Sequence, residues 1–196
     1  MKNIKLPLYF IVIFFFSHAS HAEDISSQSK KAETGLNAWD KIYSVLSHPR
    51  CANCHVGEDN IPMWAGEDYD QDRPHGMNIN AGESRIGAEA IQCSTCHTDT
   101  NNTIPHGAPG AGTIWHLPPV EFAWFGKTSN HICEQIKDKN RNGDRTLEDL
   151  VDHMKHDLLV DWGWNPGAGR KTPPITKEQT IEYFETWTAE GAPCPQ

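Results

Sequence analysis

Two five-residue stretches carry the chemistry of this chain: Cys51-Ala-Asn-Cys54-His55 and Cys93-Ser-Thr-Cys96-His97. Each reads C-x-x-C-H. Two thiols three positions apart can add to the two vinyl groups of one porphyrin, and the imidazole that follows is close enough to bind the iron, which makes this the attachment pattern of c-type haem. The expectation is two covalent haem c groups, held by Cys51, Cys54, Cys93 and Cys96, with His55 and His97 as proximal iron ligands. Two other chemistries use C-x-x-C. A redox dithiol wants a strand before the motif and a helix after it, and neither copy sits in such a pattern. A four-cysteine zinc ribbon separates its pairs by about 15–20 residues and needs no histidine after them; the stretch from Cys54 to Cys93 is much longer.

Each iron has a sixth position, and His or Met fills it in an electron-transfer haem. The candidates are His48, Met63, His75, Met77, His106, His116, His131, His153, Met154 and His156. Context ranks them. His75 and His116 lie in Gly- and Pro-bearing loops able to fold over a porphyrin face, and His116 follows Trp115, an aromatic suited to pack there. These two are the expected distal ligands, giving two bis-His irons. Met77 is the rival to His75, and a Met ligand would raise the reduction potential. Met154 falls on the apolar stripe of a helix, a packing role. His153 and His156 fall toward its polar side, where solvation explains them as well as ligation does. A further motif, Asp138-Lys-Asn140-Arg-Asn142-Gly143-Asp144 with Asp149 at position twelve, has the outline of a calcium loop. Arg145 at position eight and Asp instead of Glu at position twelve favour an Asx-rich turn between two helices.

The elements that must position these residues are helices and loops. Trp39, Ile42, Val45 and Leu46 recur at helical spacing and predict a helix over 36–46 that leads into the first motif, ended by Pro49. Residues 23–33 are polar and Ser-rich and read as a loose arm. The chain from 56 to 82 reads as loop, and 83–92 as a short helix entering the second motif. Beyond it, helices are expected over 119–125, 130–137 (capped by Ser129), 147–158 (capped by Thr146) and 177–189, the last with a Thr176/Gln179 capping box. An aromatic turn, Trp162 to Gly167, lies between the last two. No stretch alternates as a strand.

The ends fix the compartment. Lys2 and Lys5 precede an apolar run from Leu6 to Phe16, itself too short to span a membrane, and Ser20-His21-Ala22 supplies small residues for cleavage; 1–22 is expected to be a secretory signal peptide. Its removal takes away two lysines and no acid, so the formal charge goes from −9 to −11. Such a chain lacks the basic footprint of a nucleic-acid binder, and it suits a partner with a basic docking surface. In an oxidising compartment the two cysteines outside the motifs, Cys133 and Cys194, are expected to form a disulfide. The remaining chain, 23–196, fits one domain.

With these motifs in hand, the chain resembles small periplasmic dihaem cytochromes c. The resemblance covers most of 23–196 and rests on His48-Pro-Arg-Cys-Ala-Asn-Cys-His55, His75-Gly-Met-Asn78, Cys93-Ser-Thr-Cys-His97, Trp115-His-Leu-Pro-Pro119 and Trp162-Gly-Trp-Asn-Pro-Gly167. These are similar to segments of bacterial proteins labelled as cytochrome subunits of isoquinoline 1-oxidoreductase-type enzymes, and that likeness implies a periplasmic molybdenum hydroxylase as redox partner. A poorer likeness is to the small dihaem subunit of periplasmic nitrate reductase. The expected fold is mainly α, a loop-rich single-domain dihaem cytochrome c with little or no sheet. The expected function is electron relay to or from a redox enzyme. The alternative is a dihaem enzyme, a peroxidase or small-oxidant reductase, which needs one open iron and distal acid/base groups.

Overall fold

The computed structural model describes residues 19–64, 72–88 and 91–196, with side chains from 25 onward in the first helix. The expected leader therefore lies almost wholly outside the described residues. Helix α1 spans Ala19–Leu46. Its C-terminal half is the predicted helix, and Trp39, Ile42, Val45 and Leu46 are each at most 2% exposed. Fully burying side chains of this size contributes about 1.5–3 kcal/mol apiece. Residues 23–33 are helical rather than a loose arm. Residues 25–34 are exposed throughout: once the packed half is nucleated, each further turn adds a hydrogen bond without needing a core of its own.

The bundle is completed by α3 (Ser129–Lys137), α4 (Leu147–His156) and α6 (Lys177–Ala189), preceded by a short helix α2 (Pro49–Ala52) and joined by a short α5 (Leu158–Trp162). Helix α1 lies chiefly along α6, where the Trp39 and Trp187 rings meet at 5.1 Å. Gly35 is required there, because a Cβ would come within 2.6 Å of Pro193 in the C-terminal tail. The core combines Trp39 and Ile42 from α1, Ile132 and Ile136 from α3, Leu150 and Met154 from α4, and Phe184 and Trp187 from α6. Cys133 and Cys194 are joined as a disulfide, Cα–Cα 5.6 Å, stapling the tail to α3. Thr146 and Thr176 each close a capping box as predicted. Such a cap contributes about 1 kcal/mol.

Four predicted elements differ. The helix expected over 119–125 is only a 3-10 turn at Val120–Phe122, which ends where Ala123 turns extended. The cap of α3 is Thr128, whose side chain accepts from His131 N; Ser129 instead accepts the Trp39 indole N–H at 2.8 Å. The helix expected over 147–158 stops at Asp157, which turns to an extended backbone and caps α5 by accepting from the N–H groups of Leu159 and Val160. Among the described residues of 83–92 there is no helix. Arg85 (φ 60°) and Gly87 (φ 146°) hold backbone angles that a helix interior excludes, and Gly87–Ala88 (β3) instead pairs antiparallel with Ile91–Gln92 (β4). The other strands, Met63–Trp64 (β1) and Arg73–Pro74 (β2), form a second two-residue ladder. The fold is mainly α with little sheet, as expected. Among the described residues, no helix is long and apolar enough to cross a membrane.

Candidate functional site

The first C-x-x-C-H motif leaves α1 through a tight turn. His48 accepts the N–H of Arg50 on its ring and so caps α2, with Pro49 at the first helical position. Cys51 and Cys54 then line a cleft of about 260 Å³, together with His55. Its apolar walls come from the bundle: Leu46, Ile136, Leu150, Met154 and Phe184. The His55 ring is fixed twice. Nδ1 of His55 lies 2.9 Å from the Phe122 carbonyl. A carbonyl can only accept, so Nδ1 carries the proton and Nε2 keeps its lone pair. The Trp124 indole stacks on the same ring at 3.5 Å, 2° from parallel. That indole donates to Gln135 Oε1 at 2.8 Å, and the fully buried Gln135 donates onward to the Arg141 carbonyl. The His55 carbonyl closes the unit by accepting from the N–H groups of Trp124 and Phe125.

The second motif repeats this design on loops. Cys93–Thr95 is a single 3-10 turn with no side-chain cap. Nδ1 of His97 donates to the Pro109 carbonyl at 3.0 Å, and the Trp115 ring stacks on it at 4.7 Å and 11°. Gly110 lets that carbonyl approach, since a Cβ there would stand 2.2 Å from the Thr98 carbonyl oxygen. The aromatic turn after α5 braces the same loop. Trp162 meets Trp115 edge-on at 5.1 Å and donates to Asn101 Oδ1 at 3.0 Å. Between the motifs lies Arg85, 8% exposed. Its guanidinium donates to the carbonyls of Val56, Gly57 and Pro118 and to Asn60 Oδ1, tying the segment after the first motif to the loop before the second.

The electrostatics separate the possible chemistries. Burial pushes the Cys51 thiol up to about 12, with Cys54 adding to the rise and Arg50 opposing it. Burial likewise raises Cys54 to about 11, against Arg50, with a smaller upward push from Cys93. Burial also raises Cys93. A reactive dithiol needs a thiol shifted the other way. Among the described residues, no group of three or more His, Cys, Asp or Glu side chains is gathered to hold a metal ion. Burial lowers His55 to about 3, offset in part by the Phe122 carbonyl and reinforced by His153 and Arg85. It lowers His97 to about 4, offset by the Pro109 carbonyl and reinforced by His75 and Arg170. Both imidazoles are held neutral, the form that binds a metal.

The expected distal residues fall one to each motif. His75 faces His97, ring centroids 5.9 Å apart. Metal–imidazole bonds are about 2 Å long, so two imidazoles on opposite sides of one ion have centroids about 6 Å apart. Met77, its rival, is 87% exposed. His116 is exposed and lines the first cleft, its Nδ1 3.0 Å from the Ile114 carbonyl. The same cleft holds His153 and Met154. The residues fit a porphyrin joined through its vinyl groups: paired thiols beside a neutral imidazole with a free Nε2, apolar walls, and two cations, Arg50 and Arg145, for a dicarboxylate. Sequence reasoning missed the carbonyl and indole partners of both histidines. A Trp two positions past Phe122, and another just before His116, was the available signal. The calcium outline is a structural turn. Asn142 is 1% exposed and bonds the Ile136 and Arg145 backbones, Asp138 accepts from Arg141, and Asp149 caps α4. Neither family models, curated proteins nor solved structures give a match to this chain.

Proposed function

We propose that this chain is a periplasmic electron-transfer protein carrying two haem c groups, one on Cys51 and Cys54 and one on Cys93 and Cys96. The observation that carries the reading is the shared treatment of His55 and His97: each is half-buried and neutral, has Nδ1 held by a carbonyl so that Nε2 keeps its lone pair, and is backed by an indole. Haem supplies the one-electron couple of its iron; the protein sets the potential through axial ligand, burial and charge. The residues divide this work. Phe122 and Pro109 orient the proximal rings and raise their basicity as ligands. His75 serves as distal ligand at the second motif. At the first motif the cleft offers His116, His153 and Met154. Cys93 lies close enough to Cys54 to raise its pKa, and the Trp115–Trp162 pair adjoins both motifs, so the two centres share one wall. A relay between an electron donor and an acceptor uses that adjacency.

The negative charge of the chain suits a redox partner with a basic docking face. The resemblance to cytochrome subunits adds a periplasmic molybdenum oxidoreductase as the partner class. Visible and EPR spectra of the oxidised, haem-loaded protein test the reading. The expected result is two low-spin, six-coordinate irons that reduce and reoxidise reversibly. A high-spin iron that shifts on adding cyanide or peroxide would replace the relay with an open-haem enzyme.

A further inference from the structure

We infer that His153, carried on α4, is the distal ligand opposite His55, and that His116 is not. The inference rests on the haem reading of the first motif and names a residue for its sixth position. His153 and His55 line the same cleft. The His153 side chain is 42% exposed and lines that cleft. Its Nδ1 stands 3.6 Å from Asp157 Oδ2, an ion-pair distance, while the other carboxylate oxygen caps α5. The contact is longer than a hydrogen bond; a small ring shift on ligation would let Nδ1 donate to that carboxylate and leave Nε2 for a metal. Asp157 is thus a positioning residue.

The competing side chains have other engagements. His156 is 72% exposed, pairs with Asp152 at 3.3 Å and does not line the cleft. Met154 is 7% exposed and packed into the bundle core. His116 is exposed on a loop, between the buried Trp115 and Leu117, and Trp115 is committed to His97. His153 instead rides a helix anchored by its capping box and by Leu150, Val151 and Met154. A ligand on a packed helix is held more tightly than one on a loop.

The test compares His153→Ala, His116→Ala and His153→Met in haem-loaded protein, by EPR and visible spectra of the oxidised state. His153→Ala should turn one of two low-spin irons high-spin, and added imidazole should restore it. His116→Ala should leave both low-spin. His153→Met should give one iron the near-infrared band of Met ligation. Two unchanged low-spin signals in His153→Ala, or one lost in His116→Ala, would overturn the assignment while leaving the haem reading standing. Wild-type protein without haem would overturn the reading beneath it. Asp157→Asn keeps the cap of α5 and should raise the potential of that haem alone; an unmoved potential would remove Asp157 from the role.

Discussion

The same five-residue motif is mounted in two different ways. At the first, a capped helical turn presents Cys51 and Cys54 to a cleft walled by α1, α3, α4 and α6, so a bound group becomes part of the bundle core. At the second, an uncapped 3-10 turn hangs on loops braced by Gly110, Asn101 and the aromatic turn, and Cys96 is exposed. The proximal histidines record the difference: burial holds His55 to about 3 and His97 to about 4. What this teaches is that the motif specifies the bond and the neighbours specify its consequences. The first motif borders the bundle core, and the second lies on loops with Cys96 exposed.

Emptying each site in turn breaks the comparison most severely. Cys51→Ala with Cys54→Ala should remove a group that fills about 260 Å³ of the bundle. Losing a group that packs against Leu46, Ile136, Leu150 and Phe184 should lower the melting temperature markedly. Cys93→Ala with Cys96→Ala should leave the helices melting near the wild-type temperature. Circular dichroism melts decide this; equal losses would erase the distinction. Replacing Cys133 and Cys194 by Ser should cost about 2–4 kcal/mol in denaturant midpoint while both haem spectra stay as they were, because the staple belongs to α3 and the tail rather than to either centre.

Smaller effects sharpen the contrast. Gly110→Ala forces the loop off the Thr98 carbonyl and with it moves Pro109 away from His97. The spectrum and potential of the second centre should shift and those of the first should not. Acidification acts on both. A histidine held below its ordinary 6.5 leaves stability intact above pH 6.5; as pH falls, the unfolded chain takes up protons that the folded chain refuses. Stability should therefore decline from pH 6.5 through about 4 for His97 and about 3 for His55. Iron on Nε2 competes with the same proton and keeps the sign. Denaturant midpoints measured between pH 7 and 3 check this, and a midpoint that rises on acidification contradicts it.

How much of this was legible beforehand follows the range of each interaction. The motifs, the Thr146 and Thr176 caps and the apolar stripe of α1 are local patterns, and each reads directly from spacing. The Cys133–Cys194 disulfide followed from counting thiols. The segment 83–92 misled because its apolar residues fall at helical spacing, while the decisive facts are the left-handed backbone of Arg85 and the carbonyls its guanidinium reaches. The orienting carbonyls were invisible for a related reason. Phe122 and Pro109 act through backbone oxygens, 67 and 12 residues from their histidines, and a backbone group leaves no mark in residue type. His153 was assigned to a polar helix face, which is correct for its exposure; only the fold shows that this face borders the first cleft.

The central claim is that four thiols are permanently bonded to two iron porphyrins. Intact-mass measurement of protein purified from a host able to attach haem tests it most directly. The expected mass exceeds that of the polypeptide by two haem groups, which stay bound under denaturing conditions, with Cys51, Cys54, Cys93 and Cys96 all closed to alkylation. A colourless product at the bare polypeptide mass, with those four thiols free to alkylate, would contradict the account.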